Sequence, residues 1–119
     1  GALLMVLGIP YDSPEGTAMC AAITAVLTGH AYRVSAEIAV TKAPFDGYAR
    51  NAKPFMRVMH KHRDACDRIS AEFCPSYLIK AARMAWVEAN KVALRQTVDD
   101  LIAEEQKKRE AIVAELMMK

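Results

Sequence analysis

From Ser76 to Lys119 the chain contains neither glycine nor proline. Those two residues are the ones that most often stop helices and open turns, so a stretch this long without them has few alternatives to helix. As one rod it would measure roughly 65 Å at 1.5 Å per residue. The other option is two helices, broken near Arg95-Gln96-Thr97, where the apolar pattern weakens. Glu104–Lys108 and Glu105–Arg109 are i,i+4 pairs of the favoured polarity, each contributing about 0.2–0.5 kcal/mol. Val98, Leu101, Ile102, Ile112, Val113 and Leu116 form the apolar side of this segment, separated by the charged stretch from Glu104 to Glu110.

Upstream, the signals are also helical. Leu3-Leu4-Met5-Val6-Leu7 reads as the end of an apolar helix, followed by a tight turn. Ser13-Pro14 is a helix start, because Ser offers an N-cap acceptor and Pro at the first helical position sacrifices no hydrogen bond. Met19, Ile23, Val26, Leu27, Val34 and Ile38 then recur at helical spacing and predict the core-facing stripe, with Ile23 inside it. Alanines surround that stripe and predict a close helix neighbour, and Gly29 marks either a kink or a close contact. Ala43-Pro44-Phe45-Asp46-Gly47-Tyr48 stops the helix. A further amphipathic helix starts near Asn51 or Lys53, with Phe55, Val58, Met59, His62, Cys66 and Ile69 on one face. The fold class expected is all-α: a small bundle of about four helices with a long charged C-terminal helix. A helical domain over 1–89 and a charged helical tail over 90–119 are expected.

With 119 residues there is room for one domain, and a net charge of +2 does not by itself call for nucleic acid. Cys20, Cys66 and Cys74 include no CxxC pair and are odd in number, which fits a reducing cytoplasm rather than a disulfide framework. No apolar run approaches the ~20 residues that span a bilayer. The first residue is not Met, so the chain reads as processed or as a piece of something longer.

Groups able to do chemistry are sparse. His60 and His62 are two apart and point to different sides of a helix. His62 and Cys66, at i,i+4, supply only two of the three or four ligands that zinc needs. Cys20 has no base beside it in sequence. Lys53, Arg57, Lys61, Arg63 and Arg68 are interleaved with Asp64 and Asp67, as on an ordinary solvated face. No catalytic, cofactor-binding or metal residue is therefore assigned.

One long match goes beyond these local readings. Gly1-Ala2-Leu3-Leu4, Gly8-Ile9-Pro10-Tyr11-Asp12-Ser13, Ala21-Ala22-Ile23-Thr24, Thr28-Gly29, Ala31-Tyr32, Ser35-Ala36-Glu37, Pro44-Phe45, Gly47-Tyr48, Arg57-Val58-Met59 and His62-Arg63-Asp64-Ala65 occur in order and at nearly constant spacing. Cys74-Pro75, Tyr77-Leu78, Ala81-Ala82, Trp86 and Glu88-Ala89 continue the pattern more loosely. The chain thus resembles an internal segment of the large chain of adenosylcobalamin-dependent (class II) ribonucleotide reductases, over about three quarters of its length. After Ala89 it departs from that pattern.

The resemblance implies a helical excursion on the outside of an α/β barrel, following the loop that carries the radical-bearing cysteine. None of Cys20, Cys66 and Cys74 sits in the context of that cysteine. The expectation is a structural or interaction module without catalysis of its own, cytoplasmic, needing no cofactor in isolation; adenosylcobalamin is implied by the family alone. An accessory piece of a split reductase, meeting a reductase partner chain, is the alternative, and a nucleotide- or nucleic-acid-binding helical domain is a lesser one. A homodimer is expected through the tail residues Val98, Leu101, Ile102, Ile112, Val113 and Leu116, with no membrane or nucleic-acid partner.

Overall fold

The computed structural model describes residues 1–118, so Lys119, the last residue of the expected rod, lies outside the described residues. Four α-helices follow one another: α1 (Ala2–Val6), α2 (Pro14–Lys42), α3 (Tyr48–Ala65) and α4 (Ser76–Met117), with one 3₁₀ turn at Cys66–Arg68. Among the described residues there is no strand, and the all-α bundle with its long last helix is the fold found.

The start of α2 is built as its sequence requires. Ser13 Oγ accepts from the Gly16 N–H at 2.9 Å and donates to the Pro10 carbonyl at 2.7 Å, with Pro14 in the first turn. The helix ends at Ala43, whose φ of 69° and ψ of 157° lie in a region that L side chains rarely adopt. The α3 helix starts earlier than its spacing suggests. Gly47, at φ 82°, turns the chain in the left-handed region, Asn51 Nδ2 donates to the Gly47 carbonyl at 2.9 Å, and the helix runs straight through Pro54. The α4 helix shows no break at Arg95-Gln96-Thr97.

The core lies where α2 and α3 both rest on the first half of α4. Its main cluster is Met56, Met59, Cys66, Trp86, Ala89 and Ala93, with Ala25, Ala36, Phe55 and Ile69 against it. A second cluster joins Ala18, Ala22, Cys74 and Ile79. The face of α2 that is buried is therefore its small one: Ala18, Ala22 and Gly29. A β-carbon on Gly29 would stand 3.0 Å from Ala85 Cβ and 3.1 Å from Trp86 Cδ1, so Gly29 marks a close helix contact.

This reverses the expected phase of α2. Ile23, Val26 and Val34 are only half-buried, and Leu27 and Ile38 are 69% and 55% exposed. That stripe lies roughly 130° round the axis from the alanine face, at 3.6 residues per turn. The physical reason is the approach distance: alanine and glycine let α2 settle against the α4 backbone, whereas a row of large aliphatics would hold it off. In α3 the core residues are Tyr48, Ala52, Met56 and Met59, while Val58 and His62 are exposed.

The second half of α4 extends beyond the bundle and gives the molecule its 77 Å long axis. Its apolar residues also change face. Ile79, Ala82, Trp86, Ala89 and Ala93 point into the core, whereas Val98, Ile102, Ile112 and Leu116 lie roughly 130° away, all exposed.

Candidate functional site

Since α2 and α3 sit side by side on α4, an open groove runs between them. Cys20, Thr24, Thr28 and Tyr32 line one wall, His62, Ala65 and Cys66 the other, and Trp86 the floor, around a volume of about 550 Å³. Two other rings pack on that of Trp86. His62 stacks on Trp86 at 4.9 Å between centroids and 21° between planes, and Tyr32 packs on it at 5.4 Å. Phe55 connects Tyr32, Phe45 and Tyr48 into one aromatic cluster at separations of 5.6–6.4 Å. The Tyr48 hydroxyl is hydrogen-bonded to that of Thr97, which ties α3 to the middle of α4.

Below the groove, Asn90 is the one buried polar side chain among the described residues. Its Nδ2 donates to the Trp86 carbonyl at 2.8 Å and the Met59 carbonyl at 3.2 Å, linking α3 to α4. A second, smaller cavity of about 120 Å³ lies at the C-terminal end of α2, bounded by Tyr32, Phe45, Tyr48, Phe55 and Met59. The smaller cavity is largely aromatic and apolar, whereas the groove sets Cys20, Thr24, Thr28 and His62 among apolar walls.

The Cys66 thiol donates to the His62 carbonyl at 3.5 Å, so His62 and Cys66 meet through the backbone while the imidazole lies on Trp86. Burial, with Asp67 close by, pushes the Cys66 thiol above the usual range against the opposing pull of Arg83, and burial alone does the same for Cys74. Raised thiols are poor nucleophiles at neutral pH. Cys20 is exposed on the groove wall. Among the described residues no three His, Cys, Asp or Glu side chains gather into a group able to hold a metal ion. On the basic side, Arg63 pairs with Asp64 at 2.8 Å, and Asp67 holds Arg83 at 2.9 Å. Residue spacing did not point to the aromatic cluster, although Tyr32, Phe45, Tyr48, Phe55 and Trp86 are most of the few aromatic residues in the chain.

A sequence profile for the family described as "Ribonucleotide reductase, barrel domain" matches residues 1–107. The chain belongs to that family. Its relatives include the vitamin B12-dependent ribonucleotide reductase of Rhodopirellula baltica, 48% identical over 86 residues, which are 72% of this chain and 8% of the relative. The enzyme of the same name from Streptomyces coelicolor is 58% identical over 64 residues, 54% of this chain and 7% of its own length. That of Bradyrhizobium diazoefficiens is 54% identical over 65 residues, 55% of this chain and 5% of its own. The chain therefore spans less than a tenth of each of these reductases. No solved structure matches it significantly. The family match runs through the bundle and into α4 as far as Lys107. No helix among the described residues is long and apolar enough to cross a membrane.

Proposed function

We propose that this chain is a docking element of a cytoplasmic B12-dependent ribonucleotide reductase: a helical piece that packs on the remainder of the enzyme and supplies no reacting group. The observation that carries the reading is the outward stripe of α2. Its small face is spent on α4, and a second apolar face is left, with Leu27 and Ile38 exposed and Ile23, Val26 and Val34 half-buried. Burial of such a row against another surface contributes about 25 cal/mol per Å² of apolar area removed from water. Leu3, Met5 and Val6 of α1, each more than half exposed, add to the apolar surface available for docking. The reaction, its ribonucleotide substrate and adenosylcobalamin belong, in this reading, to the remainder of the enzyme.

The test uses the full chain and the Streptomyces coelicolor reductase with its matching segment deleted. The chain alone, given ribonucleotide, adenosylcobalamin and a dithiol, is expected to form no deoxyribonucleotide above the protein-free control. It is expected to bind the deleted reductase, and Leu27→Asp with Ile38→Asp should weaken that binding while leaving the helical circular dichroism unchanged. Turnover by the chain alone, or binding indifferent to both aspartates, would overturn the proposal.

A further inference from the structure

The free half of α4 carries a pattern with an internal two-fold. Val98, Ile102, Glu105, Arg109, Ile112 and Leu116 follow one another in alternating steps of four and three residues, the spacing of a coiled-coil seam. Measured from Lys107, matching residues stand at equal distances on either side: the oppositely charged Glu105 and Arg109 at two residues, and the aliphatic pairs Ile102 and Ile112 at five, Leu101 and Val113 at six, Val98 and Leu116 at nine. All six aliphatic residues are between 46% and 66% exposed. The helix is continuous through Thr97 and its stripe faces away from the bundle, so the chain's own core does not cover it.

We infer that this stripe is an interface for a second copy of the chain, laid antiparallel with the two-fold axis level with Lys107. In that register Ile102 meets Ile112 of the second copy, Val98 meets Leu116, and Leu101 and Val113 border the seam at matching levels. Glu105 meets Arg109, and the symmetry repeats each contact. The central charges then form a ring of two carboxylates and two guanidiniums, built from the Glu105–Arg109 pair already present at 3.4 Å within one chain. Lys108, at the edge of the same level, is neutralised by Glu104 of its own chain at 2.9 Å. A parallel arrangement would set Glu105 against Glu105 and Arg109 against Arg109, so the charges select the antiparallel one. The seam from Val98 to Leu116 is roughly 27 Å long at 1.5 Å per residue. This inference does not rest on the docking role of α2, and its residues are different.

The experiment combines sedimentation of the full chain with a register test. A dimer with a Kd in the micromolar range is expected, and a chain still monomeric at about 100 µM overturns the inference. Glu105→Arg and Arg109→Glu, each alone, should weaken the dimer about tenfold or more, and the double exchange should restore it; an unaltered dimer in the single variants refutes the charge ring. In a Cys20→Ser background, Ile102→Cys chains mixed with Ile112→Cys chains should form a disulfide-linked heterodimer under mild oxidation. Ile102→Cys alone should form none, and self-linking there would overturn the antiparallel register. Circular dichroism checks that each variant keeps its helices, as expected for changes confined to an exposed half-helix.

Discussion

Gly29→Ala isolates the contact on which the bundle is built. In an unobstructed helix the change would stabilise by about 1 kcal/mol, since glycine is that much poorer a helix former. Here the new methyl carbon meets Ala85 Cβ at 3.0 Å, the Ala85 carbonyl carbon at 3.1 Å and Trp86 Cδ1 at 3.1 Å. None of these atoms is the end of a flexible side chain. Ala85 is fixed by the α4 backbone, and the Trp86 ring packs against His62 and Tyr32. Overpacking of this kind costs about 1–3 kcal/mol, so the net effect expected is a loss of about 1 kcal/mol. In a domain of this size that lowers Tm by roughly 4 °C or more. Ala31→Gly, at an exposed position of the same helix, measures the propensity difference without the contact. Thermal melts of both variants, followed at a helical wavelength, give the comparison. If Gly29→Ala raises Tm by as much as Ala31→Gly lowers it, α2 and α4 do not approach as described.

Three further outcomes are expected. Ile23→Asp should cost about 1 kcal/mol or less because the side chain is only half-buried, whereas Ala22→Asp, at a fully buried site, should abolish the cooperative urea transition; equal effects would restore the opposite helix phase. Ala43→Gly should stabilise by about 1 kcal/mol, by removing a side chain from a backbone region close to glycine-only, and an unchanged urea midpoint would count against that geometry. Cys66 and Cys74 hold their protons more tightly when folded, so their contribution to stability is complete below the ordinary thiol value of 9.0 and declines as pH rises through and beyond it. Thiol labelling at pH 8 should accordingly modify Cys20 first, and simultaneous labelling of all three would show the burial to be wrong.

Helix content was legible because its signals are local: the Ser13-Pro14 cap, the turn at Ala43–Gly47, and a last segment without breakers. The orientation of α2 was not. That helix has two apolar faces, one large and one small, and periodicity finds both without saying which is turned inward. The answer depends on how near a second helix can come, which only the pairing of Gly29 with Ala85 decides. The groove is likewise non-local, because its walls belong to α2 and α3 while Trp86 of α4 forms its floor. The stacking of His62 on Trp86, which spacing does not reveal, gives that imidazole a packing role.

The change of face along α4 has a consequence for how the molecule would present itself to a large partner. A second copy seated on the tail stripe approaches from the side turned away from α2 and α3, so neither bundle obstructs the other. With the axis at Lys107 and each bundle centred near Trp86, the two bundles stand roughly 60 Å apart at 1.5 Å per residue. Each end then offers its own α2 stripe, outward and unblocked. Such a rod is bivalent: once one end is held, the other searches a restricted volume, and the second attachment is governed by effective concentration rather than by bulk supply. Two weak docking faces become one strong attachment only where the partner repeats its sites at that spacing, so the length of α4 acts as a ruler.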